Sequence, residues 1–319
     1  MPPIPTSPPA RFVRWPAAAP GLLVAVTVLL CGCATSLPPQ GEGSATYSGR
    51  VVRVVAAEDF WGSIVAQIGG THAHVVSIID NPETDPHSYE PTAADARTLA
   101  DAQVAVLNGA GYDPWMARLL AADGGHRAVL DVGDLVGVEP GGNPHLWYDP
   151  TFVDRYIGAV TTELQRADPT DRRYFADRRT AYEQVGLARY HAEIARIRST
   201  FAGTPVGASE SIVVYLCRAL GLDLVTPASF LRAISEGTDV SAADTATIDH
   251  QITTRAIDVY LENTQNLTPD VQAQVSAAQA ARIPLVPVTE TLQPEGTTFQ
   301  AWQTAQLDAL DLALEHARG

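Results

Sequence analysis

Cysteine is nearly absent: three in 319 residues, two of them Cys31 and Cys33 beside an apolar run near the start. Only Cys217 remains in the body, so no disulfide framework can brace a monomer. It lies in Ile212-Val213-Val214-Tyr215-Leu216-Cys217 and reads as a small buried hydrophobe rather than a metal thiolate. Long apolar runs are scarce too, and nothing after the first 33 residues is apolar enough to span a bilayer. Basic residues are outnumbered, 21 against 36 acidic, for a formal charge of −15. That balance argues against nucleic-acid binding. A negative field draws cations over long range, but acidity is common in soluble proteins and decides little by itself.

Arg11 and Arg14 precede the apolar run 21–30, which is too short for a membrane span and right for the core of a signal peptide. The run ends Leu30-Cys31-Gly32-Cys33. A small residue before Cys33 and an aliphatic one three positions back resemble a bacterial lipobox. Residues 1–32 are therefore expected to be a lipoprotein leader, with Cys33 the lipidated residue. The alternative is an ordinary signal peptide that happens to contain two cysteines. A diacylated Cys33 would carry two chains, enough for stable anchoring. The Pro-, Gly- and Ser-rich segment that follows, to residue 50, reads as a flexible tether.

About 270 residues remain, more than one modest core usually serves, so two lobes are expected. In the first, strands at 51–56, 75–79, 103–107 and 128–132 alternate with helices at 59–68, 92–100 and 114–122. Thr92 is the expected cap of the second helix. In the last part, strands at 205–208, 222–225, 257–261 and 284–288 alternate with helices at 211–219, 242–254, 269–280 and 298–316. Such alternation implies an α/β fold with mainly parallel sheets. Between the parts, 169–201 has almost no turn signal, and Gly186 is its only glycine. As one helix it would be a rod of roughly 50 Å that resists hinge bending. The alternative is two shorter helices broken near Gly186. The expected organisation is an N-terminal lobe 51–168, a linking helix 169–201 and a C-terminal lobe 202–319.

Two phrases stand out. Asp85-Pro86-His87-Ser88-Tyr89-Glu90-Pro91 follows a strand, and Asn143-Pro144-His145-Leu146-Trp147-Tyr148-Asp149-Pro150 lies after another. Prolines can hold an imidazole in a fixed direction, and two imidazoles from distant segments suit a transition-metal site. Trp147 and Tyr148 would screen such a site from water. His72 and His74, in a turn entering a strand, read as solvated turn residues rather than a strand-face metal pair. His126, His191, His250 and His316 receive no role. Two neutral imidazoles around a divalent ion leave its charge unbalanced, and burying that charge calls for anions. The second lobe should supply them. Glu210 and Glu290 each directly follow a strand, where ligands of parallel sheets bind. Glu236, Asp239, Asp244 and Glu262 also lie in or near candidate loops, and Glu210 could instead cap a helix.

With these phrases and the long middle helix, the chain resembles the metal-specific solute-binding lipoproteins of bacterial ABC importers, the manganese/zinc/iron family. The resemblance covers the body from Val51 to near the end. It implies two α/β lobes joined by one long rigid helix, with the metal between the lobes on four side chains: His87, His145, Glu210 and Glu290. It also implies cargo handed to a permease of the cytoplasmic membrane by a monomer lipid-anchored on that membrane's outer face, not catalysis. Three departures bear on the metal. Glu290 stands where a shorter Asp is usual, Asn143 where an Asp is common, and the His/Asp-rich loop of many zinc binders is absent after His87. Two carboxylates that bind through one oxygen or two suit manganese or ferrous iron, whereas zinc binds most such sites more tightly. The ligand set tilts towards Mn2+ over Zn2+, with Fe2+ a third candidate. Two rival readings are a zinc hydrolase with Glu90 or Glu58 as base, which lacks a His-Glu-x-x-His helix, and a surface adhesin or structural lipoprotein.

Overall fold

Among the described residues, two four-stranded sheets organise the chain, and every strand pairing in them is parallel. The computed structural model describes residues 49–82, 84, 86 and 89–318. The expected leader, Cys33, nearly all of the tether and His87 lie outside the described residues.

The first sheet is built from β1 (Val52–Glu58), β2 (Ala73–Ile79), β3 (Val104–Leu107) and β4 (Ala128–Asp131), in the order β2-β1-β3-β4. Its helices are α1 (Asp59–Gly69), α2 (Ala93–Ala100), α3 (Pro114–Asp123), α4 (Val132–Val136) and α5 (Pro150–Ala167). Helices α6 (Arg172–Ala181) and α7 (Ala188–Phe201) lead to the second sheet. That sheet has β5 (Pro205–Ala208), β6 (Asp223–Leu224), β7 (Val259–Asn263) and β8 (Leu285–Val288), in the order β6-β5-β7-β8. Around it lie α8 (Val214–Leu220), α9 (Ala228–Ser235), α10 (Ala242–Thr253), α11 (Pro269–Ala280) and α12 (Phe299–Arg318). The two orders are the same topology, although the halves share no visible sequence repeat. In each, the crossovers leave the first strand in opposite directions, which opens a crevice at the carboxyl ends of β1/β3 and β5/β7.

The period-2 pattern divides the first sheet's side chains between two cores. Val52, Val54, Ala56, Val104 and Val106 join the large core, while Val55, Ala57, Ala105 and Leu107 pack with Trp115 and Met116 on the other face. The large core does not stop at the lobe. It runs without interruption from Val52 through Trp61, Trp147 and Tyr190 to Ile257, Trp302 and Leu314. Each fully buried aromatic of this kind contributes about 2–3 kcal/mol.

Three helices were not foreseen. In α5, Asp149 accepts from Thr151 N and Phe152 N, with Pro150 at the first position. Its buried Val153, Tyr156, Ile157, Val160 and Leu164 follow helical spacing. Helix α9 begins after Pro227. Short α4 takes Val132, expected at the end of a strand, because the Asp131 side chain caps it through Asp134 N. Thr92 does cap α2, in a reciprocal box with Asp95.

The joining segment runs through a 3-10 turn at Pro169–Asp171, then α6, a π turn at Tyr182–Gly186 and a bend at Leu187 before α7. There Leu187 N donates to Tyr182 O at 2.8 Å, and a Cβ on Gly186 would lie 2.8 Å from the Tyr182 ring. Glycine therefore admits the ring where the segment passes from α6 to α7.

Candidate metal centre

The second Pro-His phrase builds much of the centre. After β3, the turn Asn108-Gly109-Ala110-Gly111 has positive φ at its last three residues. A Cβ on Gly109 would lie 1.9 Å from Asp131 Oδ1, so only glycine fits. Asp113 ties the turn by accepting from Asn108 N and Gly109 N at 2.7 and 2.9 Å. Asn108 donates to Pro144 O at 2.9 Å and so holds the residue before His145. His145 Nδ1 sits 2.8 Å from Asn143 Oδ1. With the amide oxygen as acceptor, the proton is on Nδ1, which assigns Nε2 as the nitrogen for an ion. Trp147 and Tyr148 are fully buried, and the Trp147 ring lies 5.3 Å from the imidazole.

The second lobe brings two carboxylates. Glu210 follows β5 in extended backbone, and its side chain does not cap the helix after it. Instead Asn263 and Asn266 donate to its two oxygens, each at 2.6 Å. Glu290 follows β8 and accepts from Asn263 at 2.8 Å and from the Tyr112 hydroxyl, in the first lobe, at 2.9 Å. Ligand atoms of His145, Glu210 and Glu290 all lie within 4.8 Å of one another, and all three residues are buried. Among the described residues no other group of three such side chains converges. Two carboxylates at that spacing repel by roughly 3 kcal/mol at an effective dielectric of about 20. Burial first, then the charge of Glu290, pushes the Glu210 carboxyl above its ordinary range, and the two amides pull it back. A divalent ion among these atoms would replace the repulsion by attraction.

A cavity of about 370 Å³ opens onto these three residues, with Pro82, Thr84 and Pro86 on its first-lobe wall. That places the described part of the first Pro-His loop at the mouth, while His87 itself lies outside the described residues.

A profile of the family described as "Zinc-uptake complex component A periplasmic" (ZnuA) matches residues 54–313. The chain belongs to this family. The family's description is that of a periplasmic component of zinc uptake. The manganese-binding lipoprotein MntA of Halalkalibacterium halodurans is 26% identical over 171 residues, 51% of this chain and 54% of that protein, so the match spans about half of that relative. The zinc-binding protein TroA of Treponema pallidum is 24% identical over 249 residues, 75% of this chain and 79% of TroA. The solved periplasmic zinc-binding TroA superposes with a TM-score of 0.68 at 23% identity, over 83% of this chain and 99% of that one. A manganese-bound point mutant of a periplasmic metal-binding protein from Candidatus Liberibacter asiaticus gives 0.70 at 18%, over 82% and 99%. At these identities the structures establish the two-lobed fold.

Glu58 ends β1 with no exposure, beside Asp113. Burial, then the charge of Asp113, raises its pKa; Glu90 is exposed. His72 is half-buried rather than solvated, because its ring stacks on Tyr174 at 3.5 Å and bonds Asp171 at 2.8 Å, tying the start of β2 to α6. His74 is exposed on β2. Cys217 is buried, its thiol pushed up to about 12 by burial. Tyr112, Asn263, Gln265 and Asn266 were not foreseen. Asn263 ends β7, so the strand-end rule that singled out Glu210 and Glu290 would have found it too.

Proposed function

We propose that the protein captures one divalent transition-metal ion outside the cytoplasm and hands it to an ABC-type permease. The observation that carries this reading is the convergence of His145, Glu210 and Glu290 from both lobes. His87, His145, Glu210 and Glu290 are the four ligands in this reading. The first lobe gives two neutral imidazoles and the second two carboxylates, so the cluster with a divalent ion is neutral. Manganese is the cargo on this account, because the carboxylates can raise the coordination number, with zinc the tighter competitor and ferrous iron a third ion the set accepts. The named relatives bind manganese in one case and zinc in another. Residues 1–32 are the leader, lipid on Cys33 holds the monomer to the outer face of the cytoplasmic membrane, and 51–168, 169–201 and 202–319 are the lobe, linking helix and lobe.

Release and capture proceed by a small shift of the second lobe rather than a wide hinge. Support comes from the core shared by both lobes and from bonds across the cleft: Tyr148 to Thr289 O at 2.9 Å, Asn143 to Ser211 O at 2.7 Å and Tyr215 to Asn143 O at 2.9 Å. Metal-free and metal-bound crystal structures differing by a large rotation would sink that part. The test of the function is calorimetric titration of metal-free protein with Mn2+, Zn2+ and Fe2+. One equivalent bound, and lost in His145→Ala, supports it; no stoichiometric binding of any of the three reopens the structural-lipoprotein reading.

A further inference from the structure

Between the two carboxylates stands one amide. Asn263 Nδ2 donates to Glu210 Oε1 at 2.6 Å and to Glu290 Oε1 at 2.8 Å. Its orientation is fixed from behind, since Asn263 Oδ1 accepts from Gln265 N at 3.0 Å and Asn263 N donates to Ser209 Oγ at 2.9 Å. A flipped amide would aim its oxygen at two carboxylates and its N–H groups at another N–H. The residue is fully buried at the end of β7, between the ends of β5 and β8. Its neighbours hold the rest of the constellation. Asn266 takes the second oxygen of Glu210. Gln265 accepts from Glu290 N and Thr291 N and donates to Pro82 O at 2.6 Å, in the loop that opens the first Pro-His phrase.

We propose that Asn263 is the positioning residue of the metal site. Its two N–H groups stand in for the cation before one arrives, hold Glu210 and Glu290 at ligating separation, and set the directions from which their oxygens meet the ion. The proposal rests on the function proposed above. It differs from a packing role, because an amide that only filled space would be replaceable by a side chain of the same volume. Outer partners of metal ligands typically carry 10–100-fold in affinity.

The test compares full-length protein with Asn263→Leu, which keeps the bulk and removes both donors, and Asn263→Asp, which keeps the shape and removes them. Zn2+ affinity is measured by competition with a chromophoric chelator, and the coordination sphere is read from the visible spectrum of the Co2+ form. The expected result is a 10–100-fold weaker Zn2+ affinity in Asn263→Leu, with altered Co2+ band positions or intensities. Should Asn263→Leu fail to fold, the same loss and spectral change are expected in Asn263→Asp. Unchanged affinity and spectrum in a folded variant, with only a lower Tm, would make Asn263 a packing residue and overturn the proposal. Tighter binding in Asn263→Asp would overturn it as well. Wild-type protein that binds neither Zn2+ nor Co2+ would overturn the function itself and this inference with it, whereas wild-type binding with unaffected variants would remove the inference alone.

Discussion

The two lobes share one topology and use it differently. In the second, both carboxylates sit directly at strand ends, Glu210 after β5 and Glu290 after β8. In the first, β1 ends in Glu58, a carboxyl turned into the protein beside Asp113, and His145 arrives on a loop beyond β4 and α4. The second lobe presents its two carboxylates from strand ends and steadies them with side-chain amides. The first presents its imidazole from a Pro-braced loop and steadies it with an amide and an aromatic wall. The same crevice thus carries a shelf of carboxylates in one lobe and a supporting floor in the other.

The comparison breaks most sharply on ligand deletion. Glu210→Ala and His145→Ala should each weaken Zn2+ affinity by more than about 100-fold, since direct ligands outweigh their outer partners. Calorimetry on the folded variants checks this, and a variant with unchanged affinity removes its lobe from the centre. The next effect is on His145's support. Asn143→Ala should cost about 10–100-fold by freeing the tautomer and removing the bond to Ser211 O; a loss as large as that of His145→Ala would show that the amide does more than orient the ring.

Acid titration separates the lobes in a third way. Burial pushes Asp113 up to about 6 and Asp59 up to about 7, and raises Glu58 and Glu210 as well. Each raised acid holds more protons folded than unfolded. Its stabilisation is therefore complete below its unfolded pKa near 4 and is lost as pH rises towards the folded value. For Asp113 alone that is on the order of 2–3 kcal/mol. Metal-free protein should lose stability from about pH 4 to pH 7 in denaturant titrations. Bound metal should remove the Glu210 share and leave the first-lobe share, and Glu58→Gln should stabilise the protein at pH 8. A metal-bound profile flat across that range would mean the first-lobe acids are linked to the ion. The smallest effect lies in the joint. Gly186→Ala gains helix propensity but drives a methyl into the Tyr182 ring, for a net loss under about 2 kcal/mol and unchanged metal affinity.

Much of this was legible in residue order. Alternating β-branched runs and helical spacings gave both sheets, because parallel strands buried on both faces must read as apolar runs between helices. The Pro-His phrases gave His145, and strand ends gave Glu210 and Glu290. Most of what escaped was short or polar. Helix α9 spans only Ala228–Ser235; α5 is the exception, a long helix whose start Asp149-Pro150 marks. Tyr112 escaped because its partner Glu290 is 178 residues away. The asparagines of the β7 turn escaped because neutral amides carry no charge or metal affinity to advertise them.

The sequence by itself determined the alternation of strands and helices, the turn-poor segment that joins the lobes, and which residue types could meet an ion, since propensity, periodicity and donor chemistry are local. Only the tertiary structure decided that the halves repeat one strand order, that their cores merge, and that Asn263 stands between two carboxylates 80 residues apart in sequence. Those facts depend on which surfaces bury together, and burial couples residues without regard to their distance along the chain.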